Sequence, residues 1–157
     1  MFSITEVMCT EVLTLAPDDS MHDARQLMAK HHIRHIPIVG DNNRLIGLVS
    51  QRDVLAAADS TLVVSTEVAD AQEAYVALSA IMTEQVRTVN ENDSLRGAAL
   101  YLQRHKVGCL PVIAEDQTLI GIITDSDFVG IAINLMEQLE AVEPEEDSLD
   151  VDYDDLS

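Results

Sequence analysis

Two short stretches pair a hydroxyl with a carboxylate three residues later: Ser50-Gln51-Arg52-Asp53 and Thr124-Asp125-Ser126-Asp127. Each follows a short apolar run of strand type and precedes a helical pattern, which places both side chains at a helix start. There a carboxylate can accept hydrogen bonds from adjacent sugar hydroxyls. The Ser or Thr hydroxyl, with neighbouring backbone N–H groups, can hold a phosphate oxygen. The same residues also serve as helix caps, and the two roles are compatible. Positive charge gathers nearby. Five of the nine Lys and Arg residues (Lys30, Arg34, Arg52, Arg104 and Lys106) lie beside a proline motif or inside one of these stretches. His31, His32, His35 and His105 join them. Such a cluster suits a phosphate chain, although cations at helix C-termini also complement the helix dipole.

Other chemistries find little support. His31 and His35 have i, i+4 spacing, but Arg34 intrudes and no nearby carboxylate completes a set, so no transition-metal site is expected. There is no P-loop, no Gly-x-Ser-x-Gly and no His-Glu-x-x-His, and an enzyme is not expected. Cys9 and Cys109 stand 100 residues apart, neither a metal spacing nor a disulfide framework, and read as buried structural thiols. The net charge of −19 and the absence of Trp argue against nucleic acid as a partner. No signal peptide and no membrane-length apolar run is visible, so a cytoplasmic protein without a membrane partner is expected.

The elements that must position these residues come from a duplication. At an offset of 74, Val7–Leu55 aligns without gaps on Ile81–Val129, with 12 identities in 49 positions. They include Met8/Met82, Thr14/Thr88, Ser20/Ser94, Pro37/Pro111, Gly47/Gly121 and Asp53/Asp127. Each copy opens on an extended segment, Val12–Leu15 or Val86–Val89. A helix follows, in the first copy behind the capping-box pattern Ser20-x-x-Asp23. Next come two apolar runs separated by turn residues, Ile36–Val39 with Leu45–Val49 and Leu110–Ile113 with Leu119–Ile123, which read as hairpins. Pro37 and Pro111 require an edge strand or a place where the missing N–H is harmless. A second helix closes each copy, and the last one is more apolar than one buried face needs. The fold class is therefore α+β, two β-α-β-β-α units packed about a pseudo-twofold axis. The boundaries are residues 3–60, a helical linker over 61–78 with its helix around Val68–Leu78, and residues 79–140. An acidic, disordered tail over 141–157 follows; residues 137–157 hold ten acids and no base.

On these residues each unit resembles a CBS domain (the cystathionine β-synthase type), and the duplication resembles a CBS pair, or Bateman module. The resemblance rests on Ile36-Pro37-Ile38-Val39 running to Gly47…Ser50…Asp53, and on Leu110-Pro111-Val112-Ile113 running to Gly121…Thr124…Asp127. It implies a regulatory module that binds an adenine nucleotide (AMP, ADP or ATP) between the units, with Mg2+ entering only alongside the nucleotide. It assigns Ser50, Asp53, Thr124 and Asp127 to ribose and phosphate. It makes Thr14, Ile36, Pro37 and Ile38, with Thr88, Leu110, Pro111 and Val112, the adenine wall. Arg34 and Arg52 are the expected phosphate contacts. Because Arg52 is matched by Ser126 and Arg34 by Gly108, the two clefts should be unequal. A homodimer and an unidentified protein partner complete the expectation. The alternative is an interaction scaffold whose nucleotide sites are vestigial.

Overall fold

The computed structural model describes residues 2–59 and 73–142. The chain divides into two compact units, Met1–Asp125 and one beginning at Ser126. Both repeats lie in the first unit up to the end of the second hairpin. Its elements are α1 (Ile4–Val7), α2 (Met21–His31), β1 (His35–Val39), β2 (Leu45–Ser50) and α3 (Gln51–Asp59) in the first half. In the second half they are β3 (Val89–Asn90), α4 (Leu95–His105), β4 (Cys109–Ile113) and β5 (Leu119–Thr124). The helix α5 (Asp125–Val142) follows.

Helix α2 begins where its sequence says it should. Ser20 Oγ accepts from the Asp23 N–H (3.1 Å), and Asp23 Oδ2 accepts from the Ser20 N–H (3.0 Å). This satisfies two donors that a helix start otherwise leaves open. The helices α2 and α4 both stop on a left-handed residue, His32 (φ 53°) and Lys106 (φ 52°), which are equivalent at the offset of 74. Past each stop the chain turns into a hairpin. The two hairpins have matching registers, Ile36 opposite Val49 and Leu110 opposite Ile123.

The prolines sit in these hairpins without cost. Pro37 faces Leu48, but the Leu48 N–H and carbonyl both bond to Thr83 on the opposite side. In the same way Pro111 faces Ile122, which exchanges both bonds with Cys9. Each proline therefore occupies a pair that needs no N–H from it. β4 lies between β3 and β5, so Pro111 is in a central strand, and the second of the two expected explanations is the one that holds.

Thr83 and Cys9 are themselves equivalent at the offset of 74, so the repeats exchange their lead-in segments. Cys9 pairs with β5 of the second repeat, and Thr83 pairs with β2 of the first. The exchange brings Met82 over Gly47 and Met8 over Gly121. A Cβ on either glycine would stand 2.5 Å from the methionine sulfur. The hairpin tips also meet, and Arg44 bridges its own equivalent, Thr118. Pairing of a position with its own counterpart is what a twofold relation between the repeats requires. The first repeat's core contains Met21, Ala24, Met28, Ile36, Ile38, Val49, Val54 and Leu78, the last supplied from the other side of the exchange.

Some expectations change. The extended lead-ins shrink to a single bridge at Leu15 and to the two residues Val89–Asn90. The first residues of the expected linker helix lie outside the described residues. Beyond Glu73 the chain forms a turn and then a short 3-10 helix at Leu78–Ala80. The acidic tail beyond residue 142 also lies outside the described residues. Cys9 is exposed rather than buried, because the exchange uses its backbone and leaves its side chain outside. No residue of α5 is buried; Val129, Ile133, Met136 and Leu139 are each more than half exposed. Among the described residues no helix is long and apolar enough to cross a membrane.

Candidate functional site

At the end of β2 the local sequence builds another capping box. The Ser50 N–H donates to Asp53 Oδ2 at 2.8 Å, and the Asp53 N–H donates to Ser50 Oγ at 3.1 Å. The start of α3 is tied to the strand lead-in, since the Gln51 N–H donates to the Arg34 carbonyl at 2.8 Å. The equivalent bond joins Asp125 to Gly108 at 3.1 Å. Hydroxyl, carboxylate and helix start are thus held in fixed relation, as a binding group requires.

They open onto a cavity of 510 Å3 shared by both repeats. The first repeat lines it with Arg34, His35, Leu48, Ser50, Gln51, Arg52 and Asp53. The second contributes Thr83, Gln85, Val86 and Arg87 from the exchanged lead-in. It also contributes Lys106, Val107, Gly108, Cys109 and Asp125. The volume falls within the range usual for small-molecule sites. Four cations face two carboxylates there, within a chain of net charge −19. Apolar surface comes from Val86, Val107 and Leu48, so the cavity offers apolar side chains as well as cations.

Two groups in the cavity have altered proton affinity. Burial, helped by the Arg34 charge, lowers the His35 pKa below its ordinary value; Asp125 and Asp53 pull the other way. His35 therefore stays neutral to lower pH than an ordinary histidine. Burial also pushes the Cys109 thiol up to about 12, which favours the protonated form near neutrality. His35 lies close to Gly108, where a Cβ would stand 2.9 Å from its Cε1, so that glycine leaves room for the imidazole.

The structure brings Arg34, Ser50, Arg52 and Asp53 into this one cavity, with Arg34 also lining a 380 Å3 groove between α2 and α3. Thr88 and Leu110 line a different cavity, of 340 Å3, beside α4 and Tyr101. Ile36, Pro37, Ile38, Pro111 and Val112 are less than 2% exposed, as core residues are. Thr14 is partly buried just before the Leu15 bridge and lines none of these three cavities. Thr124 ends β5, and Asp127 stands on α5 in the second unit. Sequence reasoning passed over Thr83, Gln85, Val86 and Arg87. The available signal was the Met8/Met82 identity, which marks the point where the lead-ins cross.

The model of the family described as CBS domain matches residues 4–60 and again 78–134. Among solved structures, a Vibrio cholerae protein assigned to acetoin utilization (AcuB) is 43% identical and has a TM-score of 0.75. The match covers 92% of this chain and 99% of that one. The structure of CBSX2 in complex with AMP is 27% identical with a TM-score of 0.73, covering 87% of this chain and 99% of the other. An inosine-5'-monophosphate dehydrogenase from Korarchaeum cryptofilum is 32% identical over 117 residues, 74% of this chain. The chain spans only 21% of that relative's length and 22% of a homoserine O-acetyltransferase from Methanocorpusculum labreanum.

Proposed function

This chain belongs to the CBS-domain family as a tandem pair, and we propose that it binds an adenine nucleotide in the cleft between its repeats and passes the bound state to a partner protein. The observation that carries the reading is the Ser50–Asp53 capping box opening onto a cavity with four cations. The Asp53 carboxylate would receive the ribose hydroxyls, and the apolar side chains of Val86 and Val107 would receive the base. The AMP held by CBSX2 supports this choice of ligand class. Mg2+ would enter with the phosphates, the usual way this cation is held. Catalysis is not part of the proposal. The one thiol in the cavity is kept protonated, and the enzymes among the relatives are matched over about a fifth of their length.

The module reads as a homodimer, because α5 carries a run of exposed apolar side chains that water does not favour. That same surface supports a second reading, an interaction scaffold with vestigial nucleotide sites. Calorimetric titration with AMP, with GMP as control, separates the two. Saturable AMP binding that is lost in Asp53→Ala supports the nucleotide module. No heat with any adenine nucleotide leaves the scaffold.

A further inference from the structure

Four of the chain's nine Lys and Arg residues line the central cavity. They come in equal numbers from the two repeats: Arg34 and Arg52 from the first, Arg87 and Lys106 from the second. All four are exposed, and among the described residues none forms a salt bridge. Of the two facing carboxylates, Asp53 already has one oxygen committed to the Ser50 N–H. Four cations against two carboxylates leave the cavity locally positive, which favours an anion there.

The size of that anion follows from the origin of the charges. A single phosphate group presents its terminal oxygens at one point, whereas a chain of phosphates spreads its charge along a cavity. Cations delivered from two repeats, on separate elements, are better matched by the longer chain. The duplication supplies an internal control. At the offset of 74, the counterparts of Arg34, Arg52, Arg87 and Lys106 are Gly108, Ser126, Leu13 and His32. None is a fixed cation, so the set has been built around one member of the pseudo-symmetric arrangement.

We infer that this cavity selects nucleoside di- and triphosphates over monophosphates, with Arg87 as the specificity-determining residue that the second repeat supplies. The inference rests on the adenine-nucleotide reading and adds the phosphate count to it. Arg87 suits the task because its guanidinium is always charged and forks onto two oxygens. Its bridge to a phosphate chain anchored at Arg34 and Arg52 would also tie the exchanged lead-in to the first repeat.

The test is calorimetry of the full chain with ATP, ADP, AMP, adenosine and inorganic tripolyphosphate at constant ionic strength. ATP should bind about tenfold or more tightly than AMP, the value of one or more charge-assisted hydrogen bonds. Arg87→Gln should lower ATP affinity by about tenfold while leaving adenosine unchanged. Lys106→Gln, also an exposed substitution, gives an independent reading of the same effect. AMP binding as tightly as ATP would overturn the inference while leaving the nucleotide module standing. Equal weakening of ATP and adenosine by Arg87→Gln would overturn the assignment of Arg87. Binding of tripolyphosphate but of no nucleotide would overturn the nucleotide reading itself, as would the absence of all binding.

Discussion

Gly47 and Gly121 hold equivalent places in the two hairpins, each beneath a methionine from the exchanged lead-in. Gly47→Ala forces Met82 to move or the strands to part. Overpacking of this kind costs about 1–3 kcal/mol, which urea denaturation will measure. Gly130 is the control: a Cβ there meets nothing within 4 Å, and it lies inside α5. Gly130→Ala should stabilise the chain by about 0.5–1 kcal/mol through helix propensity. A second residue-scale prediction concerns His35. Its folded-state pKa is depressed, mainly by burial, so the folded chain favours the neutral form. Its contribution to stability is present above the ordinary histidine pKa and lost as pH falls through the folded value. A bound phosphate chain reverses the local field and raises the His35 pKa, so binding takes up a proton. Titrations at pH 6.5 in buffers of different ionisation enthalpy should show more proton uptake for the wild type than for His35→Gln. Equal uptake would remove His35 from the phosphate end of the cavity.

The helix starts show how far local sequence carries. Ser20 and Ser50 make the same capping box, but only Ser50 opens onto the central cavity. Ser20→Ala should cost about 1 kcal/mol of stability and leave nucleotide affinity unchanged, whereas Ser50→Ala should cost a similar amount and weaken binding as well. Thermal melts and titrations on the same samples separate the two effects. The boxes and hairpins are legible because caps, and apolar runs separated by turn residues, are written within a few residues. The lead-ins are not. Residues 83–87 reach the cavity through an exchange with the other repeat, and no local period records a pairing made 35 residues away, as between Leu48 and Thr83. The residues of the expected adenine wall carry a related ambiguity. An apolar strand beside a site has the same pattern as an apolar strand in the core, and Ile36, Ile38 and Val112 went to the core. Ser50, Arg52 and Asp53 stand out in the sequence because the hydroxyl–carboxylate spacing marks a strand-to-helix junction, where Ser50 and Asp53 also cap the helix. Arg34, between α2 and β1, stands out as a cation beside the proline motif.

At the scale of the whole molecule, the duplication sets the fold and gives the central cavity its lining from both repeats, the second contributing through residues 83–87 and through residues 106–109 and Asp125. The exposed apolar side chains of α5 predict self-association. Light scattering should give about twice the chain mass of 17.2 kDa, and Ile133→Glu with Met136→Glu should return it to the monomer value. A wild-type monomer at micromolar concentration would contradict this. The central claim, that the cavity between the repeats is the nucleotide site, is tested most directly by amide hydrogen exchange with and without saturating nucleotide. Protection should rise together at Ser50–Asp53, at residues 83–87 and at residues 106–108, and stay unchanged around Asn42. Protection confined to one repeat, or centred instead on the cavity beside Tyr101, would contradict the account.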